Sequence, residues 1–226
     1  KNSTVAVTFY FLKNKEINNK GICFYKFLIK IDCEKNRILF LGYKKNQTQL
    51  IKFLKKDFHV HEYGNKLLTK SILNYDYKLI ISFGYNKIIK KSILKFVNCP
   101  IYNIHISYLP YNKGAHPNFW SFIDRTPHGV SIHKINENID EGNIIFRKKI
   151  KFKNLKKHTF RSTYKDLILN AEKLFMKEFK NILNFKFKTI RTKSFGSIHY
   201  KRDLPKNLKS WDVNIIEFLK KNNYLI

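Results

Sequence analysis

Two short segments of this chain carry side chains whose types and spacing suit acid–base chemistry. In the first, Asn103-Ile-His-Ile-Ser-Tyr-Leu-Pro110, the polar residues Asn103, His105 and Ser107 alternate with apolar ones. Period-two alternation places the three on one face of an extended strand. An amide and an imidazole side by side can both donate hydrogen bonds to an oxygen that gains negative charge. The segment is therefore a candidate electrophilic pair.

The second segment is the loop Glu137-Asn-Ile-Asp-Glu-Gly142, in which a carboxylate precedes a glycine that permits a tight bend. A carboxylate near a histidine orients the ring and stabilises its protonated form, so Asp140 is a candidate partner for His105. From residue types and spacing alone, a structural histidine and an ordinary turn explain the two segments about as well as an enzyme does.

The elements around these segments predict a sheet that places polar residues at one edge. Leu79 to Phe83 is a continuous apolar run closed by Gly84, which is typical of a strand buried on both faces. A helix is predicted at Asn86–Phe96, and Ile101–Ile106 is the next buried strand. This alternation predicts an α/β, Rossmann-like, mostly parallel sheet with helices on both faces and a short C-terminal extension. Ligands of such sheets bind beyond the carboxyl ends of the strands.

The remaining patterns predict a catalytic core over residues 1–150 and, over 151–226, a C-terminal helix with a small appended strand and helix region. Further strands are predicted at Val5–Phe11, Ile38–Tyr43, His59–Tyr63, Val130–Ile135, Ile144–Ile150 and Ile190–Tyr200. Further helices are predicted at Gly21–Lys30, Gln47–Lys56, Asn118–Asp124, His158–Leu183 and Val213–Lys221.

The net charge of +29 resembles that of a nucleic-acid-binding protein, but the composition argues against that interpretation. The 45 basic residues include six arginines, which leaves 39 lysines spread over nearly every segment. Selected recognition of phosphate favours the arginine fork, whereas lysines mixed with many Asn, Ile, Phe and Tyr indicate a gene drifting toward A and T. Nucleic acid is therefore an unfavoured partner, and the expectation is a surface potential that attracts an anionic substrate.

Cysteine, histidine and hydropathy patterns set the expected compartment. Cys23, Cys33 and Cys99 form no CxxC pair, and the eight histidines show no metal-ligand spacing, so we expect neither disulfides nor a metal site. No apolar run approaches the roughly eighteen residues that span a bilayer. Lys1 to Phe11 lacks the layout of a signal peptide. A soluble, cytoplasmic protein without a membrane span is the expectation.

A wider set of motifs resembles the 10-formyltetrahydrofolate-dependent formyltransferases over Leu79 to Ile150. The match consists of Asn-x-His-x-Ser-x-Leu-Pro, then Lys113-Gly114, Pro117 to Trp120, Gly129-Val130 and Asp140-x-Gly142, in the order and spacing of that family. The resemblance implies catalytic roles for Asn103, His105 and Asp140. It also implies N10-formyltetrahydrofolate as formyl donor, bound at Phe83, Gly84, Tyr85, Ile88, Glu137, Ile139 and Asp140.

The resemblance implies a mechanism without a metal. An unprotonated acceptor amine attacks the formyl carbon, and Asn103 and His105 donate hydrogen bonds to the oxyanion. Asp140 keeps His105 oriented and charged and relays the amine proton toward N10 through water. Substrate contacts are expected from Ser107, Lys113, His116 and Trp120.

Among the branches of the formyltransferase family that this chain resembles, the comparison favours one whose acceptor is a nucleotide-linked amino sugar. The segment Phe9 to Lys15 lacks the glycine- and serine-bearing loop that holds phosphate in glycinamide ribonucleotide enzymes. The residues after Ile150 are too few for the β-barrel of methionyl-tRNA formyltransferases. Tyr108 to Trp120 and Gly196 to Pro205 resemble the sugar N-formyltransferases.

Two alternatives stay open at this point. One is a methionyl-tRNA formyltransferase-like enzyme without a full barrel. The other is a basic nucleic-acid-binding module on a degenerate formyltransferase fold. The expected partner is a small-molecule substrate, a nucleotide sugar, and a homodimer is a possible assembly.

Overall fold

The computed structural model describes residues 36–191 and 196–224, which form a six-stranded sheet of order β2-β1-β3-β4-β6-β7. The strands are β1 (Arg37–Gly42), β2 (His59–Gly64), β3 (Leu79–Phe83), β4 (Ile101–His105), β6 (Gly129–Lys134) and β7 (Ile144–Lys149). The first four in space are parallel, while β6 runs antiparallel to β4 and β7 antiparallel to β6. The predicted mostly parallel α/β sheet is confirmed. Predicted elements at Val5–Phe11 and Gly21–Lys30 lie outside the described residues.

Five helices and a second, two-stranded sheet complete the described architecture. The helices are α1 (Leu50–Leu54), α2 (Lys91–Leu94), α3 (Pro117–Ile123), α4 (Phe160–Leu183) and α5 (Ile215–Lys221). Single 3-10 turns occur at Lys70–Asn74, Leu155–Lys157 and Lys201–Asp203. The small sheet pairs β5 (Lys113–Gly114) with β8 (Ile198–His199) in parallel.

Apolar side chains cover both faces of the main sheet, because β1, β3 and β4 send alternate residues to opposite sides. Ile38 and Phe40 face one core, which also contains Leu167 and Phe175 of α4. Leu39 and Leu41 face the other core, together with residues that include Ile80 and Ile93. Every residue of β3 is buried, as expected for a strand covered on both faces.

The long helix α4 begins where a capping box satisfies its first backbone amides. The Thr159 side chain accepts a bond from the Ser162 amide, and the Ser162 side chain accepts one from the Thr159 amide. The helix therefore starts at Phe160, two residues after the predicted start. Its buried stripe packs against the sheet, and its first turn joins a third core with Phe119 and Phe218.

Two predicted elements are shorter than their apolar patterns suggest. The predicted helix Asn86–Phe96 is reduced to α2, and the backbone amide of Asn86 donates to Asn65 Oδ1 at 2.8 Å. The predicted strand Ile190–Tyr200 contains β8 and an isolated bridge between Ile190 and Ile144, and residues 192–195 lie outside the described part. Tertiary contacts thus outweigh local propensity in both places.

Among the residues that the structure describes, no helix combines the length and apolar character needed to cross a bilayer. The division at residue 150 stays a prediction.

Candidate active site

A cavity of about 920 Å³ opens at the carboxyl ends of β1, β3 and β4. The strand order reverses between β1 and β3, because β2 lies on one side of β1 and β3 on the other. Such a switch point leaves a crevice between the loops that leave the sheet in opposite directions. Tyr43 after β1, Gly84 after β3 and Ile106 after β4 line the cavity, as the sheet topology requires.

Asn103 is held by residues of both neighbouring strands. Its register partners are Ser82 on β3 and His133 on β6. Ser82 Oγ donates to Asn103 Oδ1 at 2.9 Å, and Asn103 Nδ2 lies 3.1 Å from both Asp140 Oδ1 and His133 Nε2. The amide therefore has one orientation, with its nitrogen directed toward Asp140 and His133.

His105, the last residue of β4, lines the cavity although it is only 8% exposed. Its Nε2 faces two oxygens, the backbone carbonyl of Asn112 at 3.3 Å and Asp140 Oδ2 at 3.6 Å. Because both are acceptors, Nε2 carries the hydrogen. Nδ1 then has the lone pair, and no hydrogen bond joins it to any residue in the described ranges.

The loop that carries Asp140 approaches the site through a left-handed backbone conformation, with φ of 52° at Asp140. A Cβ at Gly142 would collide with the carbonyl oxygen of Lys134, so this close approach requires glycine. Asp140 Oδ2 accepts a bond from the backbone amide of Gly114 at 2.8 Å. The carboxylate is thus fixed beside Asn103 and His105.

Burial and charge set the protonation states of this pair. Burial lowers the pKa of His105, and the nearby Asp140 carboxylate offsets that effect in part. Burial would raise the pKa of Asp140, but charge on His105, contact with His133 and the Gly114 amide together lower it well below its usual range. At neutral pH the ligand-free site holds an ionised Asp140 beside a neutral His105. This differs from the expectation that Asp140 keeps His105 charged, because desolvation dominates.

His133 is a member of this cluster that sequence reasoning missed. It is 2% exposed, and its Nε2 lies 3.3 Å from Asp140 Oδ1. Its Nδ1 faces the Lys134 carbonyl at 3.1 Å and therefore carries a hydrogen, which leaves Nε2 to accept from Asn103. Val130 and Ile132 point into the core, so alternation along β6 offered a signal that His133 faces the opposite side.

The residues expected to hold the donor all line the cavity, namely Phe83, Gly84, Tyr85, Ile88, Glu137, Ile139 and Asp140. Tyr85 donates to the Lys66 carbonyl at 2.8 Å, which fixes its ring, and Ile88 is 71% exposed. An exposed apolar side chain at a cavity wall suits a flat aromatic ligand that would cover it.

The four residues expected to contact the acceptor lie in different environments. His116 lines the cavity, whereas Ser107, Lys113 and Trp120 do not appear in its wall. The Ser107 hydroxyl donates to the Tyr111 carbonyl, and Lys113 Nζ is paired with Glu141 Oε1 at 2.6 Å. Trp120 stacks on His199 with ring centroids 4.0 Å apart. Intramolecular partners thus occupy these three side chains.

Aromatic and cationic side chains from α4 and the C-terminal region also line the cavity. Trp211 stacks on His116 with centroids 5.2 Å apart, and Arg161, Tyr164 and Lys201 are further lining residues. Within residues 36–191 and 196–224, no group of three or more His, Cys, Asp or Glu side chains could hold a metal ion.

A doubly wound sheet with an amide, an imidazole and a carboxylate at its switch point defines an α/β enzyme of group transfer. Residues 33–178 match the family model described as formyl transferase, so the chain belongs to the formyl transferase family. The resemblance stated from the motifs is confirmed.

Known relatives extend this finding. The chain is 37% identical to the formyltransferase PseJ from Anoxybacillus kamchatkensis, with a TM-score of 0.73 over 80% of this chain and 96% of that one. The PseJ structure contains UDP-4,6-dideoxy-4-formamido-L-AltNAc and tetrahydrofolate.

Two curated proteins match part of the chain. The bifunctional polymyxin resistance protein ArnA of Wigglesworthia glossinidia brevipalpis is 33% identical over 59% of this chain and 20% of its own length. The dTDP-4-amino-4,6-dideoxyglucose formyltransferase of Mycobacterium bovis is 27% identical over 61% of this chain and 57% of its own length. The match thus covers a fifth of the length of the first relative and just over half of the length of the second.

Proposed function

We propose that this chain transfers the formyl group of N10-formyltetrahydrofolate to the amino group of a nucleotide-linked amino sugar. The observation that carries the proposal is the likeness to PseJ, which spans nearly all of a protein crystallised with a formamido nucleotide sugar and tetrahydrofolate. The cavity wall also offers both kinds of contact that such a pair of substrates needs. It contains the exposed apolar side chain of Ile88 and the cationic side chains of Arg161 and Lys201.

The donor supplies the formyl group, and the reaction exchanges the carbon–N10 bond for a carbon–nitrogen bond to the amine while one proton moves from the amine to N10. Asn103 lines the cavity, and its two Nδ2 hydrogens go to Asp140 Oδ1 and His133 Nε2 in the structure. One of these bonds is exchanged for a bond to the substrate oxygen that gains charge, while the other keeps the amide oriented.

His105 is the proposed proton carrier. Its Nε2–H is directed to Asp140 and the Asn112 carbonyl, so Nδ1 is the nitrogen that accepts a proton from the amine. Protonation converts the ring to an imidazolium beside an ionised carboxylate, which stabilises the charge at the moment it forms. Asp140 is already ionised because its pKa lies far below neutrality.

The two alternatives predict different substrates. In the described part of the chain, the residues after β7 form α4, β8 and α5, which pack on the catalytic sheet and on α3. These elements close the cavity rather than extend a platform for a tRNA arm, so we favour a small nucleotide sugar. A cavity lined by the residues expected to hold the formyl donor is also more than a nucleic-acid-binding module would need.

The test is formyl transfer by purified protein to nucleotide-linked 3-amino and 4-amino sugars and to methionyl-tRNA, at roughly physiological salt. We expect a mass increase of one formyl group on a nucleotide sugar and little on the tRNA. Robust tRNA formylation without sugar activity would overturn the proposal. Donor binding without transfer to any amine would also count against it.

The compartment and the assembly are proposed on less direct grounds. We place the reaction in the cytoplasm, because the three cysteines form no pairing pattern. A homodimer stays a prediction, and light scattering of the purified chain tests it.

A further inference from the structure

Residues 112–114, which we name the bridging segment, contact both His105 and Asp140. The carbonyl oxygen of Asn112 lies 3.3 Å from His105 Nε2, and the amide of Gly114 donates to Asp140 Oδ2 at 2.8 Å. Between them, Lys113 Nζ is 2.6 Å from Glu141 Oε1, next to Asp140 in the sequence. Three consecutive residues thus set the separation of an imidazole and a carboxylate that come from different elements.

The bridging segment is itself held by one carboxylate oxygen of Asp124, at the end of α3. Asp124 Oδ2 accepts three hydrogen bonds, from Asn112 Nδ2 at 3.0 Å, Ser197 Oγ at 2.8 Å and His199 Nε2 at 2.7 Å. Asn112 is fully buried and has a left-handed backbone, with φ of 51°. Such a conformation persists where surrounding contacts fix it.

The C-terminal strand β8 adds backbone contacts from the same side. The amide of Lys113 donates to the Ser197 carbonyl at 2.9 Å, and the amide of Ala115 donates to the His199 carbonyl at 2.8 Å. A Cβ at Gly114, where φ is 84°, would collide with the His199 carbonyl oxygen, so glycine permits this pairing. Stacking on Trp120 then fixes the His199 ring.

We propose that Asp124 is a positioning residue for formyl transfer, and that Ser197 and His199 make the C-terminal region part of the active site. Asp124 does not touch the reacting atoms, and it acts through Asn112 on His105. The proposal rests on the proposed function for its kinetic consequence but not for its geometry. Displacement of a catalytic group by about 1 Å costs on the order of a hundredfold in rate.

The primary variant is Asp124→Asn, which keeps the shape of the side chain and removes the charge on which three donors converge. We expect kcat to fall about tenfold to a hundredfold, with KM for donor and acceptor within about twofold of wild type. The matched control is Glu62→Gln, because Glu62 forms a Lys55 ion pair of 2.6 Å that does not line the cavity. This control should leave kcat unchanged.

A second readout does not depend on turnover. The side-chain nitrogen resonances of His105, followed by NMR from pH 4 to 8, should differ between wild type and Asp124→Asn, because the Asn112 carbonyl moves. If wild type formylates no amine but the His105 resonances still change, the proposed function fails and the positioning role stands. Unchanged kcat with unchanged His105 resonances would overturn the positioning role.

A milder variant covers the case in which Asp124→Asn does not fold. Ser197→Ala removes one of the three bonds to Asp124 and the 3.3 Å bond that Ser197 Oγ accepts from Asn112 Nδ2. We expect a several-fold loss in kcat with KM preserved, together with a shift of the His105 resonances. A Ser197→Ala protein with a lowered Tm but wild-type kcat and resonances would assign Asp124 to stability alone and contradict the proposal.

Discussion

Replacing Asp140 by Asn preserves the size of the side chain and removes its charge, and the surroundings of the carboxylate allow the effect to be estimated. Four nitrogen atoms surround it, namely Gly114 N at 2.8 Å, Asn103 Nδ2 at 3.1 Å, His133 Nε2 at 3.3 Å and His105 Nε2 at 3.6 Å. His133 Nε2 is an acceptor, whereas the other three nitrogens are donors, and an amide at this position has to direct its own N–H₂ group at one or more of those donors. We therefore expect Asp140→Asn to lose both charge and hydrogen bonds.

The magnitude follows from the separation between Asp140 and His105. Unit charges 3.6 Å apart attract by about 4.6 kcal/mol at an effective dielectric constant of about 20. At about 1.36 kcal/mol for each power of ten in rate, this is a little over three powers of ten. Relaxation of the loop recovers part of the loss, so we expect kcat to fall on the order of 10² to 10³.

The assay is formyl transfer as a function of pH, with Tm as the control for folding. The base in the reaction is neutral His105, so kcat/KM should rise with pH through the lowered pKa of His105 and then level off. Asp140 raises that pKa, so the acid limb should move to lower pH in Asp140→Asn. Turnover within about threefold of wild type, with an unmoved acid limb, would show that Asp140 serves the turn alone.

Three further predictions concern stability and positioning. Glu172→Ala removes a 3%-exposed carboxylate that accepts three hydrogen bonds from the loop before α1, and we expect urea denaturation to show a loss of about 3 kcal/mol in the free energy of unfolding, because the buried donors lose a charged acceptor. Burial lowers the pKa of His128 from 6.5 to about 4, so the unfolded chain binds more protons in that window and stability falls as pH drops through it. In His128→Gln, the free energy of unfolding should fall less between pH 7 and pH 5 than in wild type, by the contribution of one titrating group. Urea denaturation at the two pH values measures this difference. Lys113→Met leaves Glu141 without its 2.6 Å partner and should lower kcat about tenfold, whereas Lys55→Met, which breaks an exposed pair of equal length, should not.

The elements that the sequence predicted best are those whose pattern depends on local burial. β3 has the predicted bounds, Leu79–Phe83, because a continuous apolar run closed by Gly84 has few other solutions. The pairing of Asn103 with His105 on one face of β4 followed from alternation, and both residues line the cavity. Local patterns thus located the centre of the candidate site.

Features that depend on register or on distant segments were not predictable in this way. His133 meets Asn103 because β6 pairs with β4 in one antiparallel register, and a shift of one residue would turn it to the other face. Lys113 was expected to contact substrate, but β8 covers it, 85 residues later in the chain, and it is 3% exposed. Alternation along β6 indicates which face His133 occupies, but no local pattern gives its register against Asn103 or the cover that β8 lays over Lys113.

The position of Glu172 bears on where an acceptor with phosphate groups can bind. In doubly wound folds, the amides that begin the helix after a parallel strand are a frequent site for anions. After β1, the Glu172 carboxylate accepts from the Gln49 amide at 3.0 Å and from the Thr48 hydroxyl at 2.6 Å, so a negative charge from α4 already fills that position. A second anion there would meet repulsion in a buried place. For the proposed nucleotide sugar, the cationic side chains in the cavity wall include Lys201 and Arg161, and Arg161 is shared with Asp212, whose Oδ1 lies 2.7 Å from its Nε. Helix α4 thus places a carboxylate, Glu172, against the amides after β1 and a guanidinium, Arg161, in the cavity wall.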